Sequence, residues 1–142
     1  MILRFNIVKG LENTSIAKDI RIEVFVNEQG FEDEFDKLDE IAWHIEVWDQ
    51  DQPVAVGRMF ESGQNGVFII GRIAVMKAWR MNNVGKAVME ALEAHARALG
   101  AHTLELSAQW DASGFYEKMG YHQHGDVYLD QFCPHIKMIK NI

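Results

Sequence analysis

The stretch Ile73-Ala74-Val75-Met76-Lys77-Ala78-Trp79-Arg80-Met81-Asn82-Asn83-Val84-Gly85-Lys86-Ala87 decides how this chain is built. It begins as the end of an apolar run, Val67 to Met76, continuous enough to read as a strand buried on both faces. It ends as the start of a helix. Val84, Ala87, Val88, Ala91, Leu92, His95 and Leu99 recur at helical spacing until Gly100 stops them. Thr103 to Ala108 then reads as another strand, and strand, helix and strand in that order make a crossover unit whose strands lie parallel. The first N–H groups of such a helix have no internal partner, and its dipole favours negative charge there. The junction is therefore suited to a pyrophosphate. Asn82, Asn83 and Gly85 permit tight turning, and Arg80 and Lys86 add positive charge. The plainer alternative is an ordinary strand-to-helix turn with solvated basic residues.

Upstream, Ile2 to Lys9 alternates loosely and reads as a strand, with a turn at Gly10 and a helix cap at Asn13 or Thr14. Ile16, Ala17, Ile20 and Val24 follow at helical spacing, and the acidic stretch Asn27 to Glu40 reads as loop or frayed helix. Ile41 to Trp48 and Val54 to Glu61 are expected to be strands, and Gly71 inside the next strand suggests a close backbone approach or a bulge, near Gly71 to Ala74. Downstream lie a short helix, Ala112 to Met119, and two strands, Tyr121 to Leu129 and Cys133 to Ile139. The order β-α-β-β-β-α-β-α-β-β predicts one α/β domain, residues 1–142, around a mixed sheet of about seven strands.

Composition narrows the function classes. The chain has 142 residues, 48% hydrophobic and 25% charged, which is enough to bury a core without disulfides. A net charge of −7 disfavours nucleic acid, whose phosphates would be repelled, and is compatible with a cationic substrate. The single cysteine, Cys133, excludes an intrachain disulfide. No apolar run approaches the roughly 18 residues of a membrane helix, and Met-Ile-Leu-Arg-Phe-Asn has no signal-peptide pattern, so a cytoplasmic protein off the membrane is expected. His122, His124, Cys133 and His135 do not fit a zinc module, and Asp33, Asp36 and Asp39 do not fit a calcium loop, so no metal is expected.

Two further segments carry chemistry. Arg80-Met81-Asn82-Asn83-Val84-Gly85 resembles the (Gln/Arg)-x-x-Gly-x-(Gly/Ala) motif that binds coenzyme A in the GNAT acetyltransferase superfamily, with Asn83 in place of the first glycine. Asn is the non-glycine residue best suited to a left-handed backbone. Gln109 followed by Phe115-Tyr116-Glu117-Lys118-Met119-Gly120-Tyr121 is similar to that family's second signature. Alone, Tyr116 would be a packing tyrosine. Arg21-Ile22-Glu23-Val24-Phe25-Val26-Asn27-Glu28-Gln29-Gly30, Glu40-Ile41-Ala42-Trp43-His44 and Pro134-His135-Ile136-Lys137-Met138 resemble the ElaA-like or YjcF-like bacterial subgroup. Val24-Phe25-Val26-Asn27-Glu28-Gln29 is also similar to acyl-homoserine-lactone synthases.

The resemblance implies a splayed parallel strand pair and acetyl-coenzyme A as cosubstrate. The backbone of Ile73, Ala74 and Val75 would hold the pantetheine arm, and Arg80, Met81, Asn82, Asn83, Val84, Gly85, Lys86, Ala87 and Gln109 would complete the coenzyme site. Tyr116 would donate a proton to the departing thiolate. A primary amine, on a small molecule or on a protein, would attack directly, so Cys133 is not needed as nucleophile. Glu28 is the first expectation for the base, with His44 and His135 next, and Phe25, His44 and His135 are expected to line the acceptor site. The other functions in view are a non-catalytic acyl-coenzyme-A sensor and a signal synthase. Edge strands at Val127 to Ile139 offer a pairing surface for a homodimer.

Overall fold

The computed structural model describes all residues from Met1 to Ile142. Seven strands form one sheet: β1 (Leu3–Lys9), β2 (Trp43–Asp49), β3 (Gln52–Glu61), β4 (Val67–Val75), β5 (Thr103–Gln109), β6 (His122–Asp130) and β7 (Cys133–Asn141). Their spatial order is β1-β2-β3-β4-β5-β7-β6. Every neighbouring pair is antiparallel except β4 and β5, the two strands joined through helix α2 (Val84–Ala98). A short helix, α3 (Ser113–Lys118), follows β5. No helix is long and apolar enough to cross a membrane.

Alternation along β2 shows how the layers form. Ile45 and Val47 join the larger core with Val88, Met89, Leu92 and Ala96 of α2. His44 and Glu46, one residue out of phase, are buried on the other face. There the Glu46 carboxylate accepts the amides of Ser15 (2.8 Å) and Ile16 (3.2 Å), capping helix α1 (Ala17–Arg21) from across the sheet. Thr14 adds a weaker bond to the Ala17 amide at 3.3 Å. The local cap expected at Asn13 or Thr14 is thus mainly supplied by a carboxylate more than 30 residues away in sequence.

The helical spacing over Ile16 to Val24 is resolved into two kinds of turn. After Arg21 the chain widens into a π-helix, Ile22–Glu28, held in place by Val24 and Phe25 in a second apolar cluster with Phe31, Val56 and Ala74. Single π turns concentrate at functional sites. The strand expected from Ile41 begins at Trp43 instead, because Ile41 closes a 3-10 turn, Lys37–Glu40, by donating to the Leu38 carbonyl (3.2 Å), and Ala42 donates to the same carbonyl (2.9 Å).

The bulge anticipated near Gly71 to Ala74 falls at Arg72 and Ile73. β3 and β4 pair as Val56↔Ala74 and Arg58↔Gly71, so Arg72 and Ile73 together face Gly57. Arg72 carries the left-handed backbone (φ 53°). The extra residue reverses the strand's phase. Phe68 and Ile70 belong to the α2 core, whereas Ala74 belongs to the α1 cluster.

Candidate active site

β4 and β5 pair only from Val67↔Thr103 to Ile70↔Leu106. Beyond that point β4 follows β3 to Val75, and β5 follows β7 to Gln109, so the parallel pair opens into a wedge. Strand backbone bordering this opening has lost its neighbour on one side and carries N–H and C=O groups free for a ligand. A cleft of about 670 Å³ fills the wedge, lined by Gly71 to Val75, Ser107, Gln109, Tyr116 and, from the roof, Phe25 and Phe31 to Glu34.

Of the motif, Arg80 and Gly85 line the cleft, whereas Met81, Asn82, Asn83, Val84, Lys86 and Ala87 lie outside its lining. Asn83 is the residue before α2 and adopts φ 59°, ψ 20°, the left-handed conformation that a glycine would supply, so the departure from the motif is accommodated. No side chain caps α2, which leaves its first amides open. Gly85 lines the cleft, and a β-carbon there would lie 3.4 Å from the Phe115 ring. Val84 is buried under α2 and Met81 is fully exposed, so each can offer only backbone or nothing to this site. Lys86 points along the outer helix face toward Glu90 at 3.9 Å, and Ala87 is half-buried.

Arg80 is held from two sides. Its Nε donates to the Val75 carbonyl (2.9 Å), and its two terminal nitrogens donate to Glu28 at 2.6 and 2.7 Å. This fork-on-fork pair is well suited to an arginine and a carboxylate. Beside it, Gln109 Nε2 donates to Gln29 Oε1 at 2.8 Å. Two consecutive residues of the roof are thus tied to opposite banks of the wedge.

Tyr116 sits on α3, half-buried, with Phe115 and Tyr121 at ring distances of 5.0 and 5.9 Å, edge to face. Loss of solvent pushes its phenol up to about 12, so it is a permanent hydrogen-bond donor at neutral pH. It lines the cleft.

The acceptor side brings Phe25, Phe31 and His135 together in the cleft lining. His135 is buried; its Nδ1 donates to the Cys133 carbonyl (2.9 Å), which leaves the lone pair on Nε2. Phe31 meets its ring edge-on at 6.3 Å and Tyr128 stacks at 6.1 Å. Tyr128 also shares a hydrogen bond with Ser107 of β5.

Glu28 and His44, expected as base or acceptor-side residues, also fall outside the lining. Glu28 is outside the cleft lining, and the Arg80 hydrogen bonds hold its carboxyl below the usual range, which weakens it as a base. His44 is fully buried away from the cleft, with Nε2 donating to the Asp39 carbonyl at 2.9 Å. Burial outweighs that hydrogen bond and keeps its pKa low, so His44 is a neutral fastener for the acidic loop. Conversely, Arg58 and Arg72 line the cleft and lie outside the set expected from the sequence. Their only signal in the sequence is a cation inside an otherwise apolar strand.

A wedge-split parallel pair, with an open helix N-terminus at one end and a half-buried phenol beside it, defines a class of acyl-group transferases. Residues 12–142 match the acetyltransferase (GNAT) domain model, and the chain belongs to that family. Within it, the chain falls with the ElaA- and YjcF-like bacterial proteins. YjcF of Bacillus subtilis, described as an uncharacterized N-acetyltransferase, is 38% identical over 138 residues, covering 95% of this chain and 97% of the relative. The Escherichia coli ElaA structure superposes with a TM-score of 0.85 at 27% identity, over 99% of this chain and 100% of that one. An acyl-CoA N-acyltransferase from Pseudomonas aeruginosa gives a TM-score of 0.83 at 28% identity, over 98% and 99% of the two chains.

Proposed function

We propose that the protein moves an acetyl group from acetyl-coenzyme A to a cationic primary amine, by direct attack while both are bound. The observation that carries this reading is the wedge, where Gly71 to Val75, open on the side facing β5, and Tyr116 line one cleft. The residues present suit a coenzyme A diphosphate: α2 opens uncapped behind a left-handed Asn83. Glu32, Asp33 and Asp130 line the acceptor end and make no ion pair, which favours a cation there.

An alkylamine with a pKa near ~10.4 arrives protonated and must lose that proton before attack. His135 takes the role first expected of Glu28, because it lines the cleft with Nδ1 committed to the Cys133 carbonyl and Nε2 left as the acceptor, whereas Glu28 does not line it. The C–N bond then forms as the C–S bond breaks, and the second proton that nitrogen sheds on becoming an amide goes to the departing thiolate, which leaves as the thiol. Backbone N–H groups of the opened β4 edge stabilise charge on the carbonyl oxygen, and Tyr116 donates a hydrogen bond to the leaving sulfur. No acyl-enzyme is needed.

Thiol release from acetyl-coenzyme A across a panel of amines tests the reading. Turnover is expected with cationic primary amines and not with long acyl chains in place of acetyl; calorimetry that finds no affinity for coenzyme A or its acetyl ester would overturn it. His135→Gln is expected to lower kcat by about 10²-fold near neutral pH, with activity recovering as rising pH supplies free amine. Unchanged kcat in that variant removes His135 from the mechanism.

A further inference from the structure

We infer that Arg72 is a positioning residue, one that ties the acceptor loop to the strand edge on which the thioester is to be held. The inference rests on the acetyl-transfer reading for its kinetic consequence and on geometry for the tether itself.

Arg72 occupies the bulge of β4 with φ 53°, a conformation that costs a non-glycine residue about 1 kcal/mol or more. Gly71 stands beside it with an ordinary backbone, so the strained position is not the one given to glycine. What the arginine gains is reach. Without the bulge, strict alternation from Phe68 and Ile70 would turn residue 72 into the α2 core. The bulge turns it to the opposite face, under the acidic loop.

There its guanidinium meets only loop residues 34–36. Nε pairs with Glu34 Oε2 at 2.9 Å, Nη2 donates to the Glu34 carbonyl at 3.2 Å, and Nη2 approaches Asp36 Oδ2 at 3.4 Å. Those acids are fixed in turn by two other arginines. Arg21 binds Glu34 at 2.8 Å and Asp39 at 2.7 Å; Arg58 binds Asp36 at 2.7 Å and Asp39 at 2.9 Å. The Arg21 and Arg58 side chains are 1% and 6% exposed, whereas that of Arg72 is 29% exposed and lines the cleft. The first two fasten the loop to the body of the protein. Arg72 alone fastens it to the backbone that immediately precedes Ile73, Ala74 and Val75. Gly57, opposite the bulge, keeps the space that lets Ile73 lean across: a β-carbon there would sit 2.7 Å from Ile73 Cδ1. The loop that receives the acceptor and the edge that orients the carbonyl therefore move as one piece.

Arg72→Asn separates a tether from a mere bulge former, since Asn accepts the left-handed backbone but cannot reach the loop. It is expected to lower kcat by about 10- to 100-fold through misorientation, with acetyl-coenzyme A affinity unchanged within about twofold. Arg72→Lys, which keeps one charged donor, is expected to recover part of that loss. Amide hydrogen exchange in Arg72→Asn should accelerate at Ile73 to Val75 and at Glu34 to Asp36 together. An Asn variant with wild-type kcat, or with unchanged exchange at both segments, overturns the tether. Absence of turnover in the wild-type protein would instead strike the acetyl-transfer reading, and the exchange measurement then decides the tether on its own.

Discussion

Tyr116→Phe is expected to reduce kcat by about 10²-fold while leaving the affinity for coenzyme A where it was. The ring remains, so its edge-to-face contacts with Phe115 and Tyr121 remain, and the hydroxyl has no hydrogen-bond partner within the protein to strand. Folding stability should therefore hold. The loss is confined to the stage at which the C–S bond lengthens and charge gathers on sulfur. A phenol pushed up to about 12 is a weaker acid than a thiol near its ordinary value of ~8.5, so Tyr116 acts by donating a hydrogen bond to the developing thiolate rather than by surrendering its proton outright. The sign of the shift makes a second prediction for the same residue. Because the phenol keeps its proton through pH 10, no alkaline fall in wild-type kcat up to about that pH should trace to Tyr116. Single-turnover thiol release with the two proteins, alongside calorimetry with coenzyme A, checks both. A variant within threefold or so of wild type, or a loss that follows weakened coenzyme binding, would take the phenol out of the transfer step.

How far the sequence reaches depends on the range of the forces involved. The junction from Val67 to Gly100 is legible because its signals are local: an apolar run, a basic turn and helical spacing. Asn83 adopts the conformation its side chain allows. The acceptor side is set by long-range electrostatics and is not legible in the same way. Glu28 is expected as a base because the family resemblance places its segment beside the acceptor site, and nothing local announces that Arg80, 52 residues on, takes both of its oxygens. His44 follows the same logic, since its neighbour Asp39 is brought close by a 3-10 turn that the apolar pattern at Ile41 and Ala42 disguised as strand. The bulge illustrates the limit most sharply. Gly71 signals that the strand is irregular, yet the shift falls on Arg72, because only a residue with reach can be repaid by Glu34 and Asp36 across the sheet.

The buried acid at the centre of that lattice gives the largest expected effect on stability. Asp39→Ala should destabilise the fold by about 3–5 kcal/mol, since removing one partner leaves two buried guanidiniums short of charge. The Asp39 side chain is 2% exposed and accepts from Arg21 Nη1 (2.7 Å), Arg21 Nη2 (3.1 Å), Arg58 Nη1 (2.9 Å) and the Asp36 amide (3.0 Å). Burial alone would raise its pKa; the Arg21 bonds, the Asp36 amide and the Arg58 bond outweigh burial and bring it from 3.8 to about 2. A carboxyl depressed on folding stabilises the protein fully above its unfolded value, and that contribution disappears as pH falls through the folded value. Wild-type stability should therefore decline by about 2 kcal/mol from this group between roughly pH 4 and pH 2, and the Ala variant should lack that part of the slope. Urea titrations of both proteins across this range measure the two effects separately. A penalty under about 1 kcal/mol at neutral pH would show that Arg21 and Arg58 find other partners, and an unchanged acid slope would assign the depressed proton affinity elsewhere in the lattice. The same variant should loosen the roof over the cleft, because Asp39 is the acid that Arg21 and Arg58 share, and so raise the acceptor KM more than the coenzyme KM.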